Sequence, residues 1–348
     1  MSLRPLVTVL QVEAAVVVLA VVALVAEGAR TTFARRRAPR LERARRSVSA
    51  AVHGDGGVQD APRQLRALPR RLALPVLTEL ADSLSGAALR RLRLVAAETG
   101  AVREARRSCR SRLWWRRLHG LRLLARIGTA DDLVARLLDD PHEAVRAAAA
   151  DAAGPAPATE VVRRLLAMLD DPRPGCRFCA QTGLLRAGTA AGDAIEAYLA
   201  DPDAPRLADV LEIAAAAPQR RFVLPALAAA THPDVAVRAC GAGLCTAVGG
   251  GEAAAALVGL LDDPAPEVRA AAAHGLGRLG EWRSAGALAE LLGDRSWDVR
   301  YAAGTALRRL RGPGRLFLRR ALGHADPFAA DMARRMLDLP DGTVEAAR

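Results

Sequence analysis

Leu261–Gly280 reads LDDPAPEVRAAAAHGLGRLG, and near-copies follow the same order of residues: LDDPHEAVRAAAADAAG from Leu138, LDDPRPGCRFCAQTGLLRAG from Leu169, ATHPDVAVRACGAGLCTAVGG from Ala230 and LGDRSWDVRYAAGTALRRL from Leu292. A catalytic motif is needed once per chain, whereas a stretch repeated at constant period marks stacked architecture. The Arg after each Val or Cys falls at 146, 177, 238, 269 and 300, so the separations are 31, 61, 31 and 31. The 61 is nearly two periods. A missing copy belongs near residue 207, where LADPDAPRLADVLEIAAAA keeps Asp201 and Pro202 but moves its cation to Arg206. Amphipathic runs such as TEVVRRLLAMLDD and GEAAAALVGLLDD precede the copies. Each unit therefore reads as helix, tight turn, helix, and units of this size stack because none buries its apolar face alone.

Within one copy the residue types have local reasons. Asp263 is placed to cap the second helix, with Pro264 at the first helical position, where a missing N–H costs nothing. Gly280 ends that helix in a left-handed conformation. Val268, Ala271, Ala272 and Leu276 form the buried stripe, and the small Ala side chains let helices approach closely. Asp and Arg recur six apart, as Asp140 and Arg146, Asp171 and Arg177, Asp263 and Arg269, Asp294 and Arg300.

The sequence Asp-Pro, Val-Arg, Ala-Ala and Leu-Gly, clearest at Asp263, Pro264, Val268, Arg269, Ala271, Ala272, Leu279 and Gly280, resembles the HEAT-repeat family. The likeness is to the short bacterial HEAT-like repeats that also occur in phycobilisome-lyase-type proteins, and it covers Ser111 to about Leu337. The resemblance implies an all-α fold, an α-solenoid of about six to seven helix pairs, and a surface on which other molecules bind. It also implies that Asp140, Arg146, Asp171, Arg177, Arg238, Asp263, Arg269, Asp294 and Arg300 form a structural ladder between adjacent units.

Composition agrees with an all-helical chain, since 51% of the residues are apolar and only 3% aromatic. All 50 cations are Arg. Through Arg126 there are 25 Arg against 9 acids, net +16; from Ile127 on there are 25 against 29, net −4, which together make the +12 of the chain. The basicity thus belongs to the N-terminal third.

Leu6–Ala26 is apolar apart from Thr8, Gln11 and Glu13, and at about 1.5 Å per residue it spans roughly 30 Å, the thickness of a hydrocarbon core. A transmembrane helix is expected there. Arg4 precedes it and Arg30, Arg35, Arg36, Arg37, Arg40, Arg43, Arg45 and Arg46 follow, an asymmetry that puts the N-terminus outside and the repeats in the cytoplasm. A cleaved signal peptide would carry its positive charge before the apolar run, not after it. The Arg cluster serves as a topology signal and, from Arg35 to Arg46, as an anionic-lipid contact. Glu13 either meets a polar group on another transmembrane helix or sits at the outer interface. The expected order is an anchor over 1–29, an Arg-rich segment and linker over 30–61, a helical lead-in over 62–110, the solenoid over 111–337 and a tail over 338–348.

Upstream of the clear copies, SRLWWRRLHGLRLLARIG reads as a divergent first unit, with Trp114, Leu118, Leu121 and Ala125 on one helical face; Trp114 and Trp115 are core or docking residues. Five cysteines, an odd number without dense spacing, argue for a reducing compartment. Cys176 and Cys179 form a C-x-x-C but occupy repeat-core slots, and no second pair follows. His142-Glu143 is similar to the iron-binding pairs of deoxyhypusine hydroxylase, which needs several where this chain has one. No phosphate-binding loop, nucleophile elbow or zinc-protease motif occurs. The expectation is a membrane-anchored scaffold that binds a protein partner, without cofactor, metal or catalysis. The alternatives are a nucleic-acid-binding HEAT protein, against which the net −4 of the array argues, and a lyase-like enzyme.

Overall fold

The computed structural model describes residues 39, 41–53, 63, 65, 66 and 70–340. The expected anchor with Glu13 lies outside the described residues, as do Arg35, Arg36, Arg37, Arg40 and the tail from 341. Among the described residues every regular element is helical, and no helix is long and apolar enough to cross a membrane. The chain divides into two compact units, Met1–Leu133 and Val134–Arg348, and the division falls inside the helix Asp131–Leu137.

In the first unit, α1 (41–53) is followed by α2 (Arg70–Ser83), α3 (Gly86–Glu98), α4 (Ala101–Ser108) and α5 (Trp114–Arg126). Residues 47–53, expected to be linker, are helical. The reason is a stripe at helical spacing, Ala44, Val48, Ala51 and Val52, all buried. That stripe is diluted in the sequence by Ser and by the glycines after His53. α5 packs on α2 and α4. Gly120 permits the approach, because a Cβ there would stand 2.5 Å from the Ala105 carbonyl oxygen. Leu118 and Leu121 are buried, whereas Trp114 and Trp115 reach the surface, with the Arg116 guanidinium 5.1 Å from the Trp115 ring.

α6 (Asp131–Leu137) carries the boundary. Beyond it the second unit runs α7 (Glu143–Ala152), α8 (Thr159–Met168), α9 (Pro174–Ala187), α10 (Gly192–Leu199), α11 (Leu207–Ala216), α12 (Val223–Ala230), α13 (Val235–Val248), α14 (Gly251–Gly259), α15 (Pro266–Leu279), α16 (Ala285–Glu290), α17 (Trp297–Arg309), α18 (Gly312–Ala321) and α19 (Pro327–Asp338). Even-numbered helices open each repeat and odd-numbered ones close it, so the unit is a HEAT-like solenoid whose odd helices stack on one another. Buried Val268, Ala272 and Leu276 recur in register as Val237 and Cys245, and as Val299, Ala303 and Leu307. Small residues set the spacing. A Cβ on Gly277 would lie 2.6 Å from Ala306 Cα, and one on Gly241 would lie 2.9 Å from the Ala230 amide nitrogen.

The turn differs from the expected one. α15 begins at Pro266 with Ala265 as its flanking residue, so Asp263 is not the cap and Pro264 is not the first helical position. Asp263 instead accepts the Ala265 amide at 2.9 Å, an Asx turn that tightens the chain one step before the helix. Pro266 takes the first helical position. Gly280 does hold the left-handed conformation, φ 70°.

Candidate protein-binding surface

The repeated Asp and Arg form rungs between consecutive repeats. Arg146 donates through Nε and Nη2 to Asp171 at 2.7 and 3.1 Å, Arg238 to Asp263 at 2.7 and 2.9 Å, and Arg269 to Asp294 at 2.8 and 2.9 Å. Each of these Arg residues also donates Nη1 to the carbonyl six residues back, which pins the guanidinium in one orientation: Arg146 to Asp140 at 2.9 Å, Arg238 to His232 at 3.0 Å and Arg269 to Asp263 at 2.8 Å. The side chains are largely buried, 17% and 9% exposed for Arg269 and Asp294. The Arg238 hydrogen bond, opposed by desolvation, holds Asp263 below the ordinary carboxylate range. At Asp171 and Asp294 desolvation pushes upward, and the Arg hydrogen bond and the turn amide outweigh it. These are bidentate charge-assisted pairs, and their geometry is that of structural clamps.

Two ladder arginines do not fit this pattern. Arg177 and Arg300 keep the backbone anchor, at 2.8 Å to the Asp171 carbonyl and 2.7 Å to the Asp294 carbonyl, yet among the described residues neither meets a carboxylate. The position that would answer Arg177 holds Asp201, which instead accepts the Asp203 amide at 3.1 Å. The position that would answer Arg300 holds His324, whose Nδ1 accepts the Asp326 amide at 3.0 Å. Closed rungs join residues 25 apart; these two acceptors stand 24 along. At a third joint both partners are replaced, by Leu207 and His232, and His232 donates Nε2 to the Pro202 carbonyl at 3.1 Å.

The repeat formed by α10 and α11 is irregular on both sides. Arg206 stands before α11 in the left-handed region, φ 58°, and α11 touches α9 far less than α13. Between α9 and α11 lies a hollow of about 280 Å³ lined by Arg177, Phe178, Gln181, Arg206 and Asp209. On the far side, a groove of about 440 Å³ runs along α10, α11 and α12, lined by Leu199, Leu207, Leu211, Leu224 and Ala228 with Glu196 and His232 at its edge. Leu224 is 75% exposed there. Acids dominate this repeat, Asp193, Glu196, Asp201, Asp203, Asp209 and Glu212 against Arg206 alone.

Exposed aromatic residues gather elsewhere. Trp297 and Tyr301 stack with centroids 5.0 Å apart, and the Arg300 guanidinium lies 4.9 Å from the centre of the exposed Phe328 ring. Sequence reading did not single out Phe178, Tyr301, His232 or His324. Aligning the copies on their Arg would have found them, because Ala147, Ala239 and Ala270 follow the closed-rung arginines while Phe178 and Tyr301 follow the open ones.

The other candidates are placed without a site around them. Cys176 is buried and Cys179 half-buried; burial first, then Asp151, pushes the Cys179 thiol up to about 11. Such a thiol is protonated at neutral pH. Cys240 is half-buried and donates Sγ–H to Glu212 at 3.8 Å. His142 caps α7 by accepting the Ala144 amide. Among the described residues no three His, Cys, Asp or Glu side chains are grouped to hold a metal ion. Of the Arg-rich segment, Arg45 is ion-paired with Glu79, Arg43 donates Nε to the Pro39 carbonyl at 3.1 Å, and Arg46 lies 4.0 Å from Glu42.

Residues 221–308 match the sequence model of HEAT repeats. No curated protein is detectably similar in sequence. Among solved structures, human deoxyhypusine hydroxylase is 16% identical, with 89% of this chain and 98% of that one covered at a TM-score of 0.31. The complex of CpcE and CpcF of phycocyanin lyase from Nostoc is 19% identical over 67% of this chain and 92% of that one, TM-score 0.32. Kap121p is 13% identical over 90% of this chain and 46% of its own, TM-score 0.45.

Proposed function

We propose that this chain is a scaffold that recruits a protein partner through its HEAT-like second unit, tethered to a membrane by Leu6–Ala26 with the repeats in the cytoplasm. The observation that supports recruitment is the groove along α10, α11 and α12: an apolar hollow of about 440 Å³ on a surface whose neighbouring repeats are closed by stacking, with Leu224 left 75% exposed at its edge. Exposed apolar surface that stacking does not use is the mark of a binding site for an apolar segment. Binding rather than turnover is the reading because the surface offers apolar and aromatic contact, and its thiols are held protonated. The tether rests on the sequence: one long apolar run, and eight Arg after it.

Leu224→Asp tests the groove. Leu224 stands exposed, so the variant keeps the melting point of the wild type while losing the protein that co-purifies with the full chain from membranes in mild detergent. An unchanged set of co-purifying proteins would remove the groove from the binding surface. Alkaline phosphatase fused after Arg348 tests the orientation. Low activity is expected, and high activity would place the repeats outside the cytoplasm. Glu13→Leu tests the anchor itself: membrane insertion is retained, and a partner held through a second transmembrane helix is lost.

A further inference from the structure

The closed rungs at Arg146, Arg238 and Arg269 show what a ladder Arg is shaped to hold. With Nη1 fixed on a carbonyl six residues back, Nε and Nη2 form a fork aimed at the next repeat, where one carboxylate fills it. Arg177 and Arg300 carry the same anchor at 2.8 and 2.7 Å, so their forks are held the same way, but no carboxylate of the described residues fills them. The space is there at Arg177: α9 and α11 pack against each other far less than the helices at closed rungs, and the hollow beside Arg177 measures about 280 Å³.

Each open fork has an aromatic neighbour that the closed ones lack. The residue after the Arg is Ala147, Ala239 or Ala270 where the rung is closed, and Phe178 or Tyr301 where it is open. Phe178 is 68% exposed and lines the hollow with Arg177, whereas at Arg300 the ring beside the guanidinium is that of exposed Phe328, its centre 4.9 Å away, and Tyr301 stacks on Trp297. An exposed ring beside a preset guanidinium supplies apolar contact for a ligand.

We propose that Arg177 and Arg300 are receiving sites for carboxylate side chains of a protein partner, each working with the aromatic ring next to it. The proposal rests on the reading of the second unit as a protein-binding scaffold and deepens it by naming the chemistry that two of its repeats recognise. A single carboxylate is what the fork meets at every closed rung. Polyanions are disfavoured, because the chain from Ile127 on has net charge −4 and Asp209 lines the hollow with Arg177. The energetic advantage is preorganisation: the guanidinium is already oriented, so little side-chain freedom is lost when the acid arrives.

The test uses the full chain in mild detergent, ¹⁵N-labelled at arginine, with the Nε–H resonances of Arg177 and Arg300 assigned through Arg177→Lys and Arg300→Lys. The probes are N-acetyl-tryptophanyl-glutamyl amide, its glutaminyl counterpart and inorganic phosphate. The expected result is a saturable shift of the Arg177 and Arg300 signals with the glutamyl peptide, none with the glutaminyl one, and none at Arg146, Arg238 and Arg269. Phe178→Ala and Phe328→Ala should weaken the response of Arg177 and Arg300 respectively by about three- to tenfold, with the melting point unchanged. The proposal is overturned if neither Arg responds, if exposed Arg295 responds equally, if phosphate shifts the two signals more than the peptide does, or if the ring substitutions leave the response intact. The titration needs no partner. Peptide binding together with an unchanged partner set in Leu224→Asp would therefore sink the groove alone, and the reverse would sink the carboxylate sites alone.

Discussion

The joint between α15 and α17 and the joint between α9 and α11 are built from the same repeated residues, and they end differently. At the first, Gly277 brings the helices together and Arg269 closes on Asp294; at the second, the helices barely meet and Arg177 closes on no carboxylate of the described residues. The acid is not missing from the second joint, since Asp201 occupies the repeated Asp position. It stands 24 residues beyond Arg177 instead of 25, and its carboxylate is used within its own turn. One residue in a turn thus decides whether a conserved-looking pair of side chains is a structural clamp or an available cation.

The largest expected effect separates the regular from the irregular repeat at their glycines. Gly277→Val puts a branched side chain where even a Cβ would be 2.6 Å from Ala306 Cα, and backbone cannot swing away, so a loss of about 3 kcal/mol is expected by thermal unfolding. Gly192→Ala, at the start of α10, meets only the side chain of Gln219 and should cost about 0.5 kcal/mol or less. Equal losses would mean that the irregular repeat is as tightly stacked as its neighbours.

Next come the arginines themselves. Arg269→Ala removes a bidentate, largely buried pair and should lower stability by about 1.5–3 kcal/mol, while Arg177→Ala, which loses only a backbone anchor, should cost about 1 kcal/mol or less. If Arg269→Ala leaves the melting point alone and partner binding disappears, the closed rung is a contact and not a clamp.

The same rungs set an acid limit. Asp294 is held below the ordinary carboxylate range: desolvation pushes it up, but the Arg269 hydrogen bond and the Ser296 amide prevail. A carboxylate with a depressed folded pKa contributes stability that is fully present above its unfolded value, about 3.9, and is lost as pH falls through the folded one. The destabilisation caused by Asp294→Asn should therefore be constant from neutral pH to about pH 4 and shrink below it. A deficit that stays level down to pH 2 would show that the charge of Asp294 is not what holds the joint.

How much of this was legible beforehand follows from period. Helix pairs, the missing copy near residue 207 and the left-handed Gly280 were readable because stacking forces the same residue types to recur, and repetition averages out local ambiguity. The helix at 41–53 was not, since its apolar stripe is short and flanked by Ser and Gly. The turn was misread by two residues: Asp263-Pro264 has the form of a cap followed by a first helical Pro, and only the second Pro, Pro266, marks the true start. The open rungs lay within reach of the sequence, as a spacing of 30 between Asp171 and Asp201 where 31 is the rule, but nothing in one chain says what a one-residue slip does to a fork of hydrogen bonds.

The smallest expected effect concerns the backbone of the irregular repeat. Arg206 holds φ 58° and ψ 30°, a region that costs a residue with a Cβ roughly 1–2 kcal/mol and Gly almost nothing. Against that relief stand two ion pairs, at 3.9 Å to Asp170 and 3.7 Å to Asp209, both between well-exposed side chains and each worth between zero and about 1 kcal/mol. Arg206→Gly should accordingly leave the chain as stable or more stable by up to about 1 kcal/mol, and the gain should grow in high salt, where the lost ion pairs count for less. At Gly280, φ 70° in the regular repeat, Gly280→Ala should cost about 1 kcal/mol, the same strain with the opposite sign. A clear loss for Arg206→Gly would mean that the guanidinium holds the wall of the hollow beside Arg177, and that the irregular repeat is braced where its helices fail to stack.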